Sequence, residues 1–90
     1  MKTNLVIFEM NPEQLNVYRV PETVMTPDEL LSIAGVAFNC DDANEEQWET
    51  FNELSEALTD EEMEANGVKE LEFPLSPLPG ELVYHVFCAM

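Results

Sequence analysis

Ninety residues carry 19 acidic side chains against Lys2, Arg19 and Lys69, for a net charge of −16; that is enough chain for one domain with a modest core and too little for two. A hydrophobic fraction of 46% argues against wholesale disorder. Charge this negative disfavours direct binding of DNA, RNA or anionic lipid, and it favours a cationic partner whose grip weakens as salt rises.

In chain order, Leu5-Val6-Ile7-Phe8 is β-branched and aromatic, apolar on both faces, and reads as a central strand. Asn11 and Pro12 mark a turn. Residues 15–20 alternate apolar and polar, so they read as the second strand of a hairpin with one wet face. Thr26 can cap a helix that Pro27, Asp28 and Glu29 open favourably. Leu30, Leu31, Ile33, Ala34 and Phe38 continue at helical spacing, weakened by Gly35, and residues 39–42 are a break or the next cap. Residues 43–58 are the clearest helix, with Trp48, Phe51, Leu54 or Ser55, and Leu58 recurring at steps of three and four. Thr59 and Glu62 have the spacing of a capping box for a short further helix that ends at Asn66-Gly67. Residues 68–73 alternate as a strand, and residues 82–88 are apolar on both faces. Between them Pro74, Pro77, Pro79 and Gly80 impose a stiff loop carrying Leu75 and Leu78. That loop either tucks against the sheet or offers its leucines to a partner.

The expected architecture is α+β: one domain over residues 1–90, a four-stranded antiparallel sheet with two or three helices packed on it, in the order β-β-α-α-(α)-β-β. Both terminal strands look internal and are expected to be neighbours. Their two-sided apolar character needs cover on both faces. Helices can supply one, and a second copy of the chain can supply the other, which is consistent with a homodimer.

The charge is unevenly placed. Residues 41–64 hold eleven acids and no Lys or Arg, and residues 41–72 alone account for −12 of the net charge. On the 43–58 helix, the Trp48 and Phe51 stripe faces the core. Glu46, Glu49, Glu53, Glu56 and Asp60 then follow at steps of three, four, three and four, a continuous outer ridge if the helix runs that far. Asp41, Asp42, Glu45, Glu61, Glu62 and Glu64 widen it at its ends. At ~1.5 Å per residue the ridge would span ~21 Å, with one charge per ~4–5 Å against ~3.4 Å for phosphates along one DNA strand. A fully helical run would place six like-charged pairs four residues apart, at a combined cost of roughly 1–3 kcal/mol. A plain solvated face would show the same spacing.

Other chemistry is weakly signalled. Cys40 and Cys88 fit no zinc spacing, and cysteine usage this low suits a reducing compartment. The oxygen-rich residues 41–46 lack the order of a calcium loop. His85 stands within an apolar strand and reads as a core or interface histidine. It would serve a Cys40 nucleophile only if the fold brought the two together. No glycine-rich phosphate loop is present, so neither an enzyme nor a cofactor is expected. No apolar run reaches membrane-spanning length and no signal peptide is evident, so a cytoplasmic protein without a membrane partner is expected.

In size, charge and its carboxylate ridge, the chain resembles the small phage-encoded DNA-mimic inhibitors. Those families block restriction enzymes, uracil-DNA glycosylase, nucleoid proteins or CRISPR effectors by occupying their DNA sites. The resemblance rests on residues 41–72, and no family motif accompanies it. It implies a non-catalytic inhibitor of a basic nucleic-acid-binding host protein, of the anti-restriction or anti-CRISPR kind. The contacts would come from Asp42, Glu45, Glu46, Glu49, Glu53, Glu56, Asp60, Glu61, Glu62 and Glu64. An immunity or antitoxin protein that neutralises a basic toxin is the alternative, and an acidic structural protein is a third.

Overall fold

A computed structural model describes residues 2–10, 14–34, 37–38 and 44–88. The elements are β1 (Thr3–Met10), β2 (Gln14–Pro21), α1 (Pro27–Ile33), β3 (Ala37–Phe38), α2 (Glu45–Ala57), α3 (Asp60–Asn66), β4 (Lys69–Leu71) and β5 (Val83–Cys88). The expected α+β class holds, and three helices pack on one sheet. The terminal strands are neighbours, as their apolar character required.

The sheet is mixed, which corrects the antiparallel expectation. Its order is β3-β5-β1-β2-β4, the two-residue β3 adding an edge to four longer strands. β1 pairs antiparallel with β2, and β2 with β4, but β5 runs parallel to β1. The cause is topological. β4 and β1 both oppose β2 and so point the same way. The chain leaves β4 at one end of the sheet and returns through residues 72–82 to the end where β1 begins. Parallel neighbours need such a crossover of about a dozen residues.

Alternation along the strands divides the core. Val6, Phe8, Tyr18, Val20, Tyr84 and Val86 point to the helices and join Leu30, Ile33, Phe51 and Leu54 in one buried cluster. Leu5 and Val17 point the other way and are also fully buried. The crossover loop runs on their side. Arg19, two residues beyond Val17, donates from Nε to Glu81 Oε2 at 2.7 Å and from Nη2 to Glu81 Oε1 at 3.1 Å. Its Nη2 also reaches the Ser76 carbonyl at 3.4 Å. Thr3 Oγ1 and the Leu78 amide donate to the same carboxylate. The loop that sequence left between two readings is therefore tied down at Glu81. It shares with the strands the covering of Leu5 and Val17, while Leu78 stays 53% exposed.

α1 is shorter than its spacing predicted. Thr26 caps it as expected, and Glu29 completes a capping box that was not anticipated, the Glu29 amide donating to Thr26 Oγ1 and the Thr26 amide to Glu29 Oε1. It stops at Ile33, however, because Ala34 turns extended and bridges to Val86. Ala37 and Phe38 then pair with β5 instead of prolonging the helix. The open edge of β5 offers backbone partners that outweigh a helical spacing already weakened by Gly35.

α3 ends where Asn66-Gly67 indicated, with Gly67 at φ +74° and its amide donating to the Met63 carbonyl. A Cβ there would lie 3.9 Å from Pro21 Cγ, an ordinary contact. Gly67→Ala is therefore expected to cost about 1 kcal/mol through the left-handed backbone alone. A urea midpoint at pH 7 measures it, and an unchanged midpoint contradicts this account of the cap.

Candidate functional site: the carboxylates of α2 and α3

α2 is the platform. Phe51, Leu54 and Ala57 are buried, and Trp48 is half-buried beside them. The Phe51 ring stacks on Phe8 at 5.6 Å and meets Trp48 edge-on at 5.7 Å. Both aromatics thus take the core-facing role that their spacing predicted. The helix begins with a capping box missed in the sequence reading. The Gln47 amide donates to Asn44 Oδ1 at 2.8 Å, and the Asn44 amide to Gln47 Oε1 at 3.1 Å. The Asn-x-x-Gln spacing was the available signal. Gln47 Nε2 also reaches the Ser32 carbonyl at 3.1 Å, fixing α2 against the end of α1.

Glu45, Glu46, Glu49, Glu53 and Glu56 all lie exposed on α2, and Asp60, Glu61, Glu62 and Glu64 are exposed on α3. Asp41, Asp42 and Cys40 lie outside the described residues, and so does half of the oxygen-rich segment 41–46, residues 41–43. The single five-residue ridge needs correction. α2 ends at Ala57, and Leu58 and Thr59 separate it from α3, so Asp60 opens a second helix. The unbroken line is Glu46, Glu49, Glu53 and Glu56: ten steps, or ~15 Å, with one charge per ~5 Å. Three of the six like-charged pairs lie within one helix, 45/49, 49/53 and 60/64, at a cost of roughly 0.6–1.5 kcal/mol. Glu45 and Glu46, like Asp60, Glu61 and Glu62, sit in first turns, where the helix dipole offsets part of that cost.

The expected capping box of α3 is not formed. The Thr59 hydroxyl donates back to the Glu56 carbonyl at 3.0 Å, and the Glu62 side chain accepts instead from Asn66 Nδ2 at 3.4 Å. Breaking the helix has a consequence that linear spacing hides. Glu53, Glu56 and Glu62 come together around an open cleft of about 770 Å³ between α2, α3 and the turn after β2. Thr23, Thr59 and Asn66 add polar groups, and Val24, Ala57 and Ala65 add apolar surface. A cleft of this kind suits a long cationic side chain, its stem against the apolar atoms and its head among carboxylates. Because these acids are exposed, they offer charge and hydrogen-bond acceptors rather than a desolvated acid–base pair.

Among the described residues the ion pairs are Arg19–Glu81 and a 3.9 Å approach of His85 Nε2 to Glu9 Oε2. Neither touches the acids of α2 or α3. His85 faces away from the helices, half-exposed, its ring stacked on Phe87 at 4.3 Å. No group of three or more His, Cys, Asp or Glu among the described residues is placed to hold a metal ion. No helix among them is long and apolar enough to cross a membrane. Comparison with protein-family models, curated proteins and solved structures finds no match to this chain. The site therefore has to be read from its own chemistry.

Proposed function

We propose that this protein is a non-catalytic inhibitor that occupies the phosphate-binding surface of a basic nucleic-acid-binding host protein, in the manner of anti-restriction or anti-CRISPR proteins. One observation carries the reading. Among the described residues, no Lys, Arg or His forms an ion pair with the nine exposed carboxylates of α2 and α3. A helix that serves only as scaffold usually intersperses Lys among its Glu, because uncompensated pairs cost stability. Here the line from Glu46 to Glu56 presents a regular row of charge, one per ~5 Å against ~3.4 Å for phosphates along one nucleic-acid strand. The Glu53, Glu56 and Glu62 cleft would take one Arg or Lys that normally holds a phosphate. Such an inhibitor acts in the host cytoplasm, stoichiometrically, with faster association at low salt.

The test is substitution of Glu49, Glu53 and Glu56 together by glutamine. The variant keeps the fold and gains up to about 1 kcal/mol of stability, because pairs 45/49 and 49/53 are relieved. Immobilised wild-type protein, incubated with host lysate at low salt, captures a nucleic-acid-binding protein that excess duplex DNA releases, and the triple variant captures at least ~10-fold less. Capture that survives the triple substitution, or that DNA leaves undisturbed, defeats the reading.

A further inference from the structure

We infer that the sheet face opposite the helices is a self-association surface, and that the protein forms a two-fold homodimer through it. The inference rests on that face and not on the carboxylates of α2 and α3.

Strand register places Ile7, Leu15, Val83, His85 and Phe87 on this side, together with Leu5 and Val17. The crossover loop is tied across Arg19, where Leu5 and Val17 are fully buried, but the cover is incomplete. Leu15 remains 44% exposed and Val83 45% exposed, with Ile7, His85 and Phe87 half-covered beside them. Glu9 is in register with Leu15 on one side and Phe87 on the other, so the uncovered residues are contiguous across three strands.

Charge selects the occupant. A second copy also carries −16. Two of the chain's three basic residues, Arg19 and Lys69, belong to this face by register. Arg19 is paired with Glu81, and Lys69 and Glu9, at opposite ends of the face and not in contact, cancel in formal charge, so the strand residues of this face with Glu81 sum to zero. Apposing two such faces puts each helix layer on the outside. Two bare sheets would stack ~10 Å apart; the crossover loops hold these two at least that far apart, and each helix layer adds ~10 Å, which separates the two acidic surfaces by ~30 Å or more. The Debye length at physiological salt is ~8 Å, so their repulsion is screened. Pairing through the helices would bring both acidic surfaces within that length. The self-complementary contact closes as a dimer and leaves both carboxylate surfaces free.

Sedimentation equilibrium of the whole chain at ~100 µM tests this. In ~1 M salt, where attractions between surface charges are screened, the expected mass is twice 10.2 kDa. Val83→Lys and Leu15→Lys change side chains that are already exposed and lower the net negative charge, so general repulsion falls in both. Each is expected to keep the wild-type far-UV circular dichroism and to raise the dimer dissociation constant at least ~10-fold. A monomeric wild-type chain under these conditions overturns the inference. Undiminished dimerisation of both lysine variants overturns it too, because association would then use another surface.

Discussion

Truncating Leu54 to alanine is expected to remove about 3–4 kcal/mol of stability. Leu54 is fully buried in the middle of α2 and is the residue by which the carboxylate-bearing helix is set into the cluster of Phe8, Phe51 and Val86. The deletion loses the transfer free energy of the removed carbons and leaves a void that a helix capped at Asn44 and backed by a sheet cannot collapse to fill. A 90-residue domain has a total stability of ~5–13 kcal/mol, so this one change removes a large share of it. Urea unfolding followed by circular dichroism measures the loss. Glu53, its exposed neighbour, is the control: Glu53→Gln is expected to be neutral or slightly stabilising. A loss below about 1 kcal/mol for Leu54→Ala would mean that α2 is not seated by this residue.

The second large effect lies on the opposite face. Arg19→Ala is expected to cost about 2–3 kcal/mol at pH 7, because it leaves the Glu81 carboxylate, whose side chain is only 3% exposed, without its charged partner. For a domain of this size the thermal midpoint falls by roughly 10–20 °C. The pH dependence has a definite sign. The Arg19 hydrogen bonds hold the Glu81 carboxyl down from its ordinary 4.5 to about 2, and those from Thr3 and the Leu78 amide act in the same direction. A depressed carboxylate contributes stability that is fully present above the unfolded value and is lost as pH falls towards the folded one. Urea midpoints of wild type and Arg19→Ala should therefore differ most near neutral pH, and converge between pH ~4.5 and pH ~2. A constant difference across that window would show that the pair does not anchor the loop. The loop matters beyond stability, since it is tied over the part of the sheet where Leu5 and Val17 are buried. Its loosening would change the surface offered to a second copy.

Much of this protein is legible in its local chemistry. The adjacency of β1 and β5 follows from their being apolar on both faces, and the hairpin from its turn residues and alternation, although the expected wet face of β2 is covered where Val17 is fully buried. The Thr26 cap and the Asn66-Gly67 stop follow from side-chain and backbone preferences that act within a few residues. The core role of Trp48 and Phe51 and the exposure of the Glu46 to Glu56 line follow from helical periodicity. Such features depend on neighbours close in the chain, and the fold reinforces them.

Other features were decided only by tertiary structure. β5 runs parallel to β1 because residues 72–82 carry the chain across the sheet, and no local pattern encodes strand direction. α1 stops at Ile33 because the edge of β5 competes for the backbone beyond it. The proposed ridge breaks at Leu58 and Thr59, and folding α3 back brings Glu62 to Glu53 and Glu56, a meeting that linear spacing cannot express. Arg19 and Glu81, 62 positions apart, find each other only when the loop closes over the sheet. By itself the sequence determined how much negative charge the chain carries and that it is concentrated on two helices, because composition and periodicity are properties of the chain. Which carboxylates share a cleft, and which sheet face is left balanced and partly bare, depended on contacts between residues far apart in the chain.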